Sequence, residues 1–375
     1  MAPLSFGAAP PPVGLDIGTD HIRAAQLKPS GAGASLTNYG RVTMPFGAVV
    51  EGEIVDAESV AQAIKELWRQ AGIRSKDVAI GVSNQKVVVR LIDLPFMEKD
   101  ELAGAIQYQA QDYIPIPVEE AILSYETIGD YMTPADEHMM EVLLVAAQRD
   151  MIDGAVRAVE LAGLKLAQID VTAFALVRSL LGRSSFLFED EGDAPGEATG
   201  LIHITSGLTN IAVVERGVPR FTRVSALGGN QFSQSIANVL NLTFDEAEDL
   251  KIRAGLPNLD GSPTPTPPGL DAEVVRVAQE ALEREANKFI AEVRRSLDYY
   301  LTQATQVRTI KRIILTGSGA QLRSLPNYLE RGLQTEVTLG DPLVRINASG
   351  STEQNVLADR MGCAAAIGLA LGGVD

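Results

Sequence analysis

The stretch from Val13 to Leu27, VGLDIGTDHIRAAQL, predicts a strand, a tight turn and a second strand. Apolar residues alternate with small or polar ones before the turn, and this period of two is the pattern of a half-buried strand. The turn is made by Gly18, Thr19 and Asp20. Backbone N–H groups that point the same way in such a turn suit a phosphate chain. Asp16 precedes the turn, where its carboxylate would hold the Mg²⁺ of the phosphates through water.

The same pattern returns in the second half of the chain, at Leu201 to Val214, LIHITSGLTNIAVV. When Asp16 is aligned with His203, the turn lengths of the two segments match. One such motif also fits an ordinary hairpin turn, but an internal repeat is stronger evidence than either copy alone. The repeat therefore predicts two similar lobes that face one ligand.

Composition narrows the class of protein. The chain has 375 residues, which is enough for two or more domains, and 46% of them are hydrophobic. The formal net charge of −16 argues against a general nucleic-acid binder, since phosphate contacts need Lys and Arg. It also argues against adhesion to anionic lipid by charge. A single cysteine, Cys363, excludes an internal disulfide, and with three scattered histidines it predicts no metal site of such ligands.

Membrane association is expected to be indirect. Residues 1–12, MAPLSFGAAPPP, have neither a basic start nor an apolar run, so we interpret them as a flexible tail rather than a signal peptide. No segment of the sequence reaches the ~18 apolar residues of a spanning helix. The sequence therefore predicts that any contact with a membrane is made through a partner protein.

We assign residues 13–200 to a first lobe and expect residues 86–166 to form a subdomain inserted into it. The inserted segment begins with the β-prone run KVVVRLIDL at 86–94. A helix is predicted from Lys99 to Tyr113, because the Ile-Pro-Ile-Pro segment that follows cannot continue it. Two more strands follow, and then a helix from an N-cap at Asp150 to Ala162.

Residues 201–349 are assigned to a second lobe with a helical subdomain at about 230–310. The proline-rich stretch 256–269 predicts a mobile surface loop. A long amphipathic helix is predicted after it, ending near Thr305. Residues 350–375 are expected to contain one C-terminal helix, Glu353 to Leu371, that packs back on the first lobe.

Five short motifs follow one another along the chain: the hairpin turns at 16–23 and 203–210, GGN at 228–230, AE-x-LK at 247–251 and GSG at 317–319. In this order they resemble the actin-like ATPase superfamily. LPF-x-E and the segment IQYQAQDYIPIP at 106–117 resemble, within it, the PilM family of type IV pilus assembly proteins more than the related FtsA family. The resemblance covers nearly the whole chain from Val13 onward.

This resemblance implies an α/β, actin-like ATPase fold: two lobes of mixed sheet plus helices, an FtsA-type inserted subdomain, and ATP or ADP between the lobes. It implies that Asp16 handles Mg²⁺ through water and that Glu248 and Lys251 meet the ribose or base. The full set of residues implied to bind nucleotide is Asp16, Gly18, Thr19, Asp20, His21, Thr205, Ser206, Gly207, Thr209, Asn210, Gly228, Gly229, Glu248, Lys251, Gly317, Ser318 and Gly319.

Two positions depart from the family pattern, His203 and also Thr205, which stands where the family has a glycine. The second phosphate loop of the family usually begins with an aspartate, where this chain has His203. Histidine is a poor ligand for Mg²⁺, since hard cations prefer oxygen. The exchange predicts that nucleotide is bound while ATP hydrolysis is weak or absent. The alternative is a strand residue that simply tolerates the exchange.

The resemblance further implies a scaffold of the pilus assembly platform, at the cytoplasmic face of the inner membrane. PilM-like proteins bind the N-terminal peptide of PilN, a single-pass membrane protein, in a groove beside the inserted subdomain. The run Val87 to Ile92 is a candidate lining for that groove, and packing inside the sheet is the alternative. Other platform proteins, assembly ATPases and further copies of this chain are additional candidate partners.

Two other functions stay open at this stage. A small-molecule kinase of the same superfamily would need a catalytic base near the cleft, and the sequence offers no aspartate in a kinase-like motif. An FtsA-like filament tethered to the membrane would need a basic amphipathic helix at its C-terminus. This sequence instead ends in Gly372-Gly373-Val374-Asp375.

Overall fold

The fold is that of a computed structural model, which describes residues 10–30, 33–181, 196–262, 264–304, 307, 309–344 and 346–373. The sequence-based predictions also cover positions outside the described residues, namely 1–9, 31–32, 182–195, 263, 305–306, 308, 345 and 374–375.

Both lobes and the inserted segment contain β-sheets. In chain order they are β1 (Val13–Ile17), β2 (His21–Ser30), β3 (Gly33–Thr43), β4 (Val49–Val50), β5 (Glu53–Ile54), β6 (Asp77–Val82), β7 (Val87–Pro95), β8 (Ala121–Met132), β9 (His138–Gln148), β10 (Lys165–Val171), β11 (Glu197–Ile204), β12 (Thr209–Glu215), β13 (Val218–Ser225), β14 (Thr309–Thr316), β15 (Glu336–Leu339) and β16 (Ile346–Asn347).

The α-helices, again in chain order, are α1 (Ala57–Ala71), α2 (Lys99–Ala110), α3 (Arg149–Leu161), α4 (Thr172–Leu181), α5 (Gly229–Leu240), α6 (Phe244–Ala254), α7 (Ala272–Gln303), α8 (Leu325–Leu333), α9 (Gly350–Leu357) and α10 (Ala364–Leu371). Among the described helices, none is long and apolar enough to cross a lipid bilayer.

Two mixed sheets share one pattern. In the described residues, the first sheet has the order β10-β6-β1-β2-β3-β16 and the second the order β13-β12-β11-β14-β15. Each contains a three-strand antiparallel meander, β1-β2-β3 or β11-β12-β13, with parallel strands added beside its first strand. Both predicted hairpins are therefore confirmed, and the repeat seen in the sequence is a repeat of the fold.

Each sheet has its own core. In the first lobe, apolar residues of β1, β2 and β6 pack with Ile64 and Leu67 of α1. In the second lobe, the apolar side of α7 packs on the sheet, with Phe289 as one of the largest fully buried side chains. The three-to-four-residue spacing of apolar residues in both helices gives this buried stripe.

Helices α4 and α10 lie between the two sheets. Residues of α10 pack with β2 and β3 on one side and with α4, β11 and β12 on the other. The approach is close, since a Cβ at Gly14 would overlap the backbone of α10 and one at Gly368 the backbone of α4. The apolar sequence AAAIGLAL of α10 fits a helix buried on all sides.

The inserted subdomain is smaller than the predicted segment 86–166. Strands β7, β9 and β8 form a separate sheet that packs on α2. Helix α3, however, packs with α1 in the core of the first lobe, and β10 pairs in parallel with β6. We therefore place the boundary of the separate sheet at Gln148, because the apolar side of α3 covers the first-lobe sheet.

Several predicted boundaries move. Helix α2 ends at Ala110, and residues 111–113 form turns. Gln148, not Asp150, is the N-cap of α3. The predicted C-terminal helix is two helices, because a turn at 358–363 separates α9 from α10. Leu256, the first residue of the predicted surface loop, is fully buried in the second-lobe core.

Candidate functional site

The turns of the two hairpins meet between the lobes. A Cβ at Gly207 would lie 2.7 Å from the hydroxyl oxygen of Thr19, so the second turn lies directly on the first. Ser206 of the second turn also lies close enough to Asp20 of the first to lower the pKa of its carboxyl group. Two segments almost two hundred residues apart therefore form one surface, as the repeat predicts.

A cavity of about 300 Å³ opens beside this contact. Eight of the residues implied to bind nucleotide line it, and they come from both hairpins and from three later segments: Asp20, His21, Ser206, Gly229, Glu248, Lys251, Ser318 and Gly319. Such convergence of polar groups from distant segments is typical of a small-molecule site.

The other nine implied residues do not line this cavity. Thr209 and Asn210 are buried; the Thr209 hydroxyl donates to the Leu227 carbonyl (2.6 Å), and Asn210 Oδ1 accepts from the Ser83 hydroxyl (2.7 Å). Gly228 approaches the backbone of the second turn so closely that a Cβ would lie 2.7 Å from the Thr205 carbonyl oxygen. Asp16, Gly18, Thr19, Thr205, Gly207 and Gly317 likewise do not line this cavity.

Lys251 and Glu248 form one wall of the cavity. Lys251 Nζ lies 2.6 Å from Glu248 Oε2 and donates to the carbonyl oxygen of Gly229 (3.3 Å). Ser233 donates to the same Glu248 oxygen. The pair is thus held at the start of α5, where the ammonium and the carboxylate can meet hydroxyl groups of a ligand.

Sequence reasoning missed three charged residues of the cavity, Arg23, Arg41 and Asp359. Arg23 Nε donates to Asp359 Oδ2 (2.7 Å), and Arg41 Nη1 donates to Asp359 Oδ1 (3.1 Å). It also missed the apolar wall, to which Phe232, Ile252 and Leu322 contribute. The only available signal was the strand pattern, which places Arg23 and Arg41 on paired strands.

The carboxyl groups at the cleft have opposite pKa shifts. Burial raises the pKa of Asp16 to about 6, with Arg23 opposing and Asp20 adding to the shift. Burial also raises the pKa of Asp20, but hydrogen bonds from His21 and Ser206 outweigh it and hold that pKa well below its usual range. Asp20 is therefore ionised at neutral pH, whereas Asp16 gains or loses its proton at a pH slightly below neutral.

His203 is the next-to-last residue of β11, just before the second turn, as Asp16 is of β1. It is 2% exposed, and burial, together with the nearby charge of Arg23, lowers its pKa to about 3. Its Nδ1 has no hydrogen-bond partner among the described residues. The side chain is therefore a neutral imidazole at the position where the family usually has a carboxylate.

The donor set fits Mg²⁺ on one side of the cleft. Asp16 and Asp20 offer carboxylate oxygens, which Mg²⁺ prefers, whereas the neutral His203 does not. Among the described residues, no three His, Cys, Asp or Glu side chains form a direct metal cluster. An ion held through water by one or two carboxylates, with phosphates as further ligands, agrees with this arrangement.

A second cavity, of about 400 Å³, lies between the inserted subdomain and the second lobe. Val89, Arg90 and Leu91 of β7 line it, opposite Arg220 and Tyr299. Val88 and Ile92 point instead into the core of the inserted subdomain. The run Val87 to Ile92 thus contributes both to the lining of this cavity and to the core of the inserted subdomain.

The family model described as "Type IV pilus assembly protein PilM" matches residues 14–267, more than half of the chain. The chain belongs to the PilM family. A second model, "Cell division protein FtsA", matches residues 201–368.

Among relatives, the FtsA of Escherichia coli (strain K12) is 26% identical over 380 residues, covering 91% of this chain and 86% of the relative. The FtsA of Pseudomonas aeruginosa is 24% identical and covers 88% and 82%.

Solved structures agree with this PilM assignment. A "PilM-PilN type IV pilus biogenesis complex" superposes with a TM-score of 0.80 and 25% identity over 97% of this chain and 98% of that one. MreB 5 of Spiroplasma citri bound to AMPPNP superposes with a TM-score of 0.52 and 13% identity, covering 96% and 95%. The fold is therefore the actin-like ATPase fold that the resemblance implied.

Proposed function

We propose that this PilM family protein is an ATP-binding scaffold of the type IV pilus assembly platform. The observation that carries the proposal is the cavity between the lobes, where eight residues implied to bind nucleotide converge from distant segments. The fold supports the choice of ligand, since a structure of the same fold is described as bound to AMPPNP.

In this proposal the two hairpin turns bind the phosphates of the nucleotide, and the cavity holds its ribose and base. Ser206, Gly207 and the first turn bind the phosphates through backbone N–H groups. Lys251 and Glu248 meet the ribose, and Ile252 with the Gly317–Gly319 turn borders the base. Asp16 and Asp20 hold Mg²⁺, which neutralises part of the phosphate charge.

Turnover of ATP is weak or absent in this proposal. A hydrolytic site needs a group that positions the attacking water beside the terminal phosphate. The neutral, buried His203 stands where the family usually has an acidic residue, and with its pKa near 3 it is protonated neither at pH 7 nor at pH 5. The bound nucleotide would then stabilise one arrangement of the lobes rather than drive repeated cycles.

The proposed partner is the N-terminal cytoplasmic peptide of a PilN-like inner-membrane protein, which would also hold this chain at the inner face of the membrane. The superposed PilM–PilN complex supports this choice of partner. The cavity beside β7 is the proposed docking groove. Among the described strands, β7 pairs only with β9, so its other edge can hydrogen-bond to an extended peptide.

Fluorescence anisotropy with a labelled peptide of this kind tests the docking proposal. We expect saturable binding to the full chain, weakened by Arg90→Ala in the groove and unchanged by Arg284→Ala on the exposed side of α7. If Arg90→Ala left the affinity for the peptide unchanged, the peptide would not bind in the cavity beside β7. No binding at all would contradict the scaffold function.

A further inference from the structure

A row of charged side chains crosses the first sheet beneath the cavity. Asp16 on β1 lies directly opposite Arg23 on β2, and Arg23 lies directly opposite Arg41 on β3. Residues opposite each other on neighbouring strands share one face of the sheet. Two guanidinium groups are therefore side by side at the cleft, and both line the cavity.

One carboxylate from the far end of the chain lies between these two cations. Asp359 Oδ2 accepts hydrogen bonds from Arg23 Nε (2.7 Å) and from the Tyr39 hydroxyl (2.6 Å), and Oδ1 accepts from Arg41 Nη1 (3.1 Å). Asp359 is 1% exposed. Its position is built for this contact, because a Cβ at Gly362 would lie 2.5 Å from Oδ1 and 2.8 Å from Arg23 Nε.

Asp359 does not use all the hydrogen-bond donors of the two arginines. Arg23 and Arg41 carry two positive charges and share Asp359, while a guanidinium group has five N–H donors. The hydrogen bond recorded for Arg41 uses Nη1 alone, and about half of its side chain is exposed. Donors thus remain available on the cavity side, in the fork geometry that matches a phosphate group.

The same turn also reaches the other end of the cavity. The carbonyl oxygen of Met361, two residues after Asp359, accepts hydrogen bonds from Gly317 N (2.8 Å) and from the Thr316 hydroxyl (3.1 Å). Residues 359–361 therefore contact the arginine pair on one lobe and the glycine turn on the other. A change in the hydrogen-bond partner of Arg23 would therefore affect residues at both walls of the cavity.

We propose that Asp359 is an internal counter-anion of Arg23 and Arg41, which the phosphate groups of a bound nucleotide displace. A buried arginine cannot lose its proton, so it needs an anionic partner whether or not a ligand is present. Asp359 supplies that partner in the free protein, and the phosphates supply it in the complex. The inference rests on the proposed function, since it takes the cavity to be the nucleotide site.

Calorimetry with ATP and with adenosine tests the proposal on the full chain. We expect Asp359→Asn to bind ATP about tenfold more tightly than the wild type, because the competing charge-assisted hydrogen bonds are weakened. Adenosine has no phosphate, so its affinity should stay unchanged. The matched control is Asp341→Asn. It removes a side-chain carboxylate that pairs with Arg360, and neither residue lines the cavity.

An ATP affinity of Asp359→Asn that equals or falls below that of the wild type would overturn the proposal. If thermal melting shows that this variant does not fold, Arg41→Gln decides instead. This variant should bind ATP about tenfold more weakly than the wild type and bind adenosine with unchanged affinity. An unchanged ATP affinity again overturns the proposal. Wild-type protein that binds neither ligand would contradict the nucleotide function itself, which is a different result.

Discussion

Thr19 and Gly207 face each other across the two lobes, and a Cβ on Gly207 would lie 2.7 Å from the Thr19 hydroxyl oxygen. This contact joins the tips of both hairpins. Gly207 is therefore needed for the close approach of one turn to the other, since the site must bring N–H groups of both turns to one ligand.

Gly207→Ala should lower the free energy of unfolding by about 1–2 kcal/mol, because the new methyl group must push the two turns apart. Chemical denaturation measures this. Gly104→Ala is the matched control. Gly104 lies inside α2 with nothing within 4 Å of its Cβ position, so alanine there should stabilise by about 0.5–1 kcal/mol. Equal effects of the two exchanges would contradict the close packing of the turns.

His203→Asn should change how stability depends on pH. Burial lowers the folded pKa of His203 from 6.5 to about 3, so below pH 6.5 the unfolded state binds a proton that the folded state does not. The contribution of this residue is thus complete above pH 6.5 and is lost as the pH falls toward 3, by about 1.4 kcal/mol per pH unit.

The measurement is urea denaturation of both proteins between pH 7 and pH 5. Relative to His203→Asn, the wild type should become progressively less stable as the pH falls through this range. The comparison removes the opposite contribution of Asp16, whose raised pKa is present in both proteins. A stability difference that does not vary with pH would show that His203 is exposed to water in solution.

The inserted subdomain is tied to the second lobe by an ion pair. Arg220 Nη1 of β13 donates to Glu141 Oε2 of β9 at 2.6 Å, and both side chains are about three-quarters buried. A double-mutant cycle with Arg220→Gln and Glu141→Gln should give a coupling of roughly 1 kcal/mol. The pair Arg276–Glu273 on the exposed side of α7 is the control and should show no comparable coupling. Equal couplings would mean that the subdomain is not held by this contact.

The hairpins could be predicted because their signal is local. Alternation before a glycine-containing turn fixes the strands, and the register of Asp16 with Arg23 and of His203 with Asn210 follows from the turn lengths. The residues of AE-x-LK and of the glycine turns could be found by resemblance, since each motif is short and contiguous. The structure brings several of them into one cavity.

The arginine cluster could not be predicted in this way. Arg41 joins the site through strand pairing, and Asp359 through a turn between α9 and α10 that the helix pattern of the C-terminal sequence conceals. The position of α3 has the same cause. An amphipathic pattern shows that a helix has an apolar side, but it does not show which sheet that side will cover.

The most direct test of the nucleotide site is calorimetric titration of Mg²⁺-ATP into the wild type, Asp16→Asn and Asp77→Asn. Asp77 is an exposed carboxylate at the start of β6. It belongs to the same sheet as Asp16, but Asp16 lies near the end of the parallel strand β1, so the two carboxylates are at opposite edges of the sheet. We expect the wild type and Asp77→Asn to bind Mg²⁺-ATP alike and Asp16→Asn to bind it at least tenfold more weakly. Wild-type protein that does not bind Mg²⁺-ATP, or equal binding by all three proteins, would contradict it.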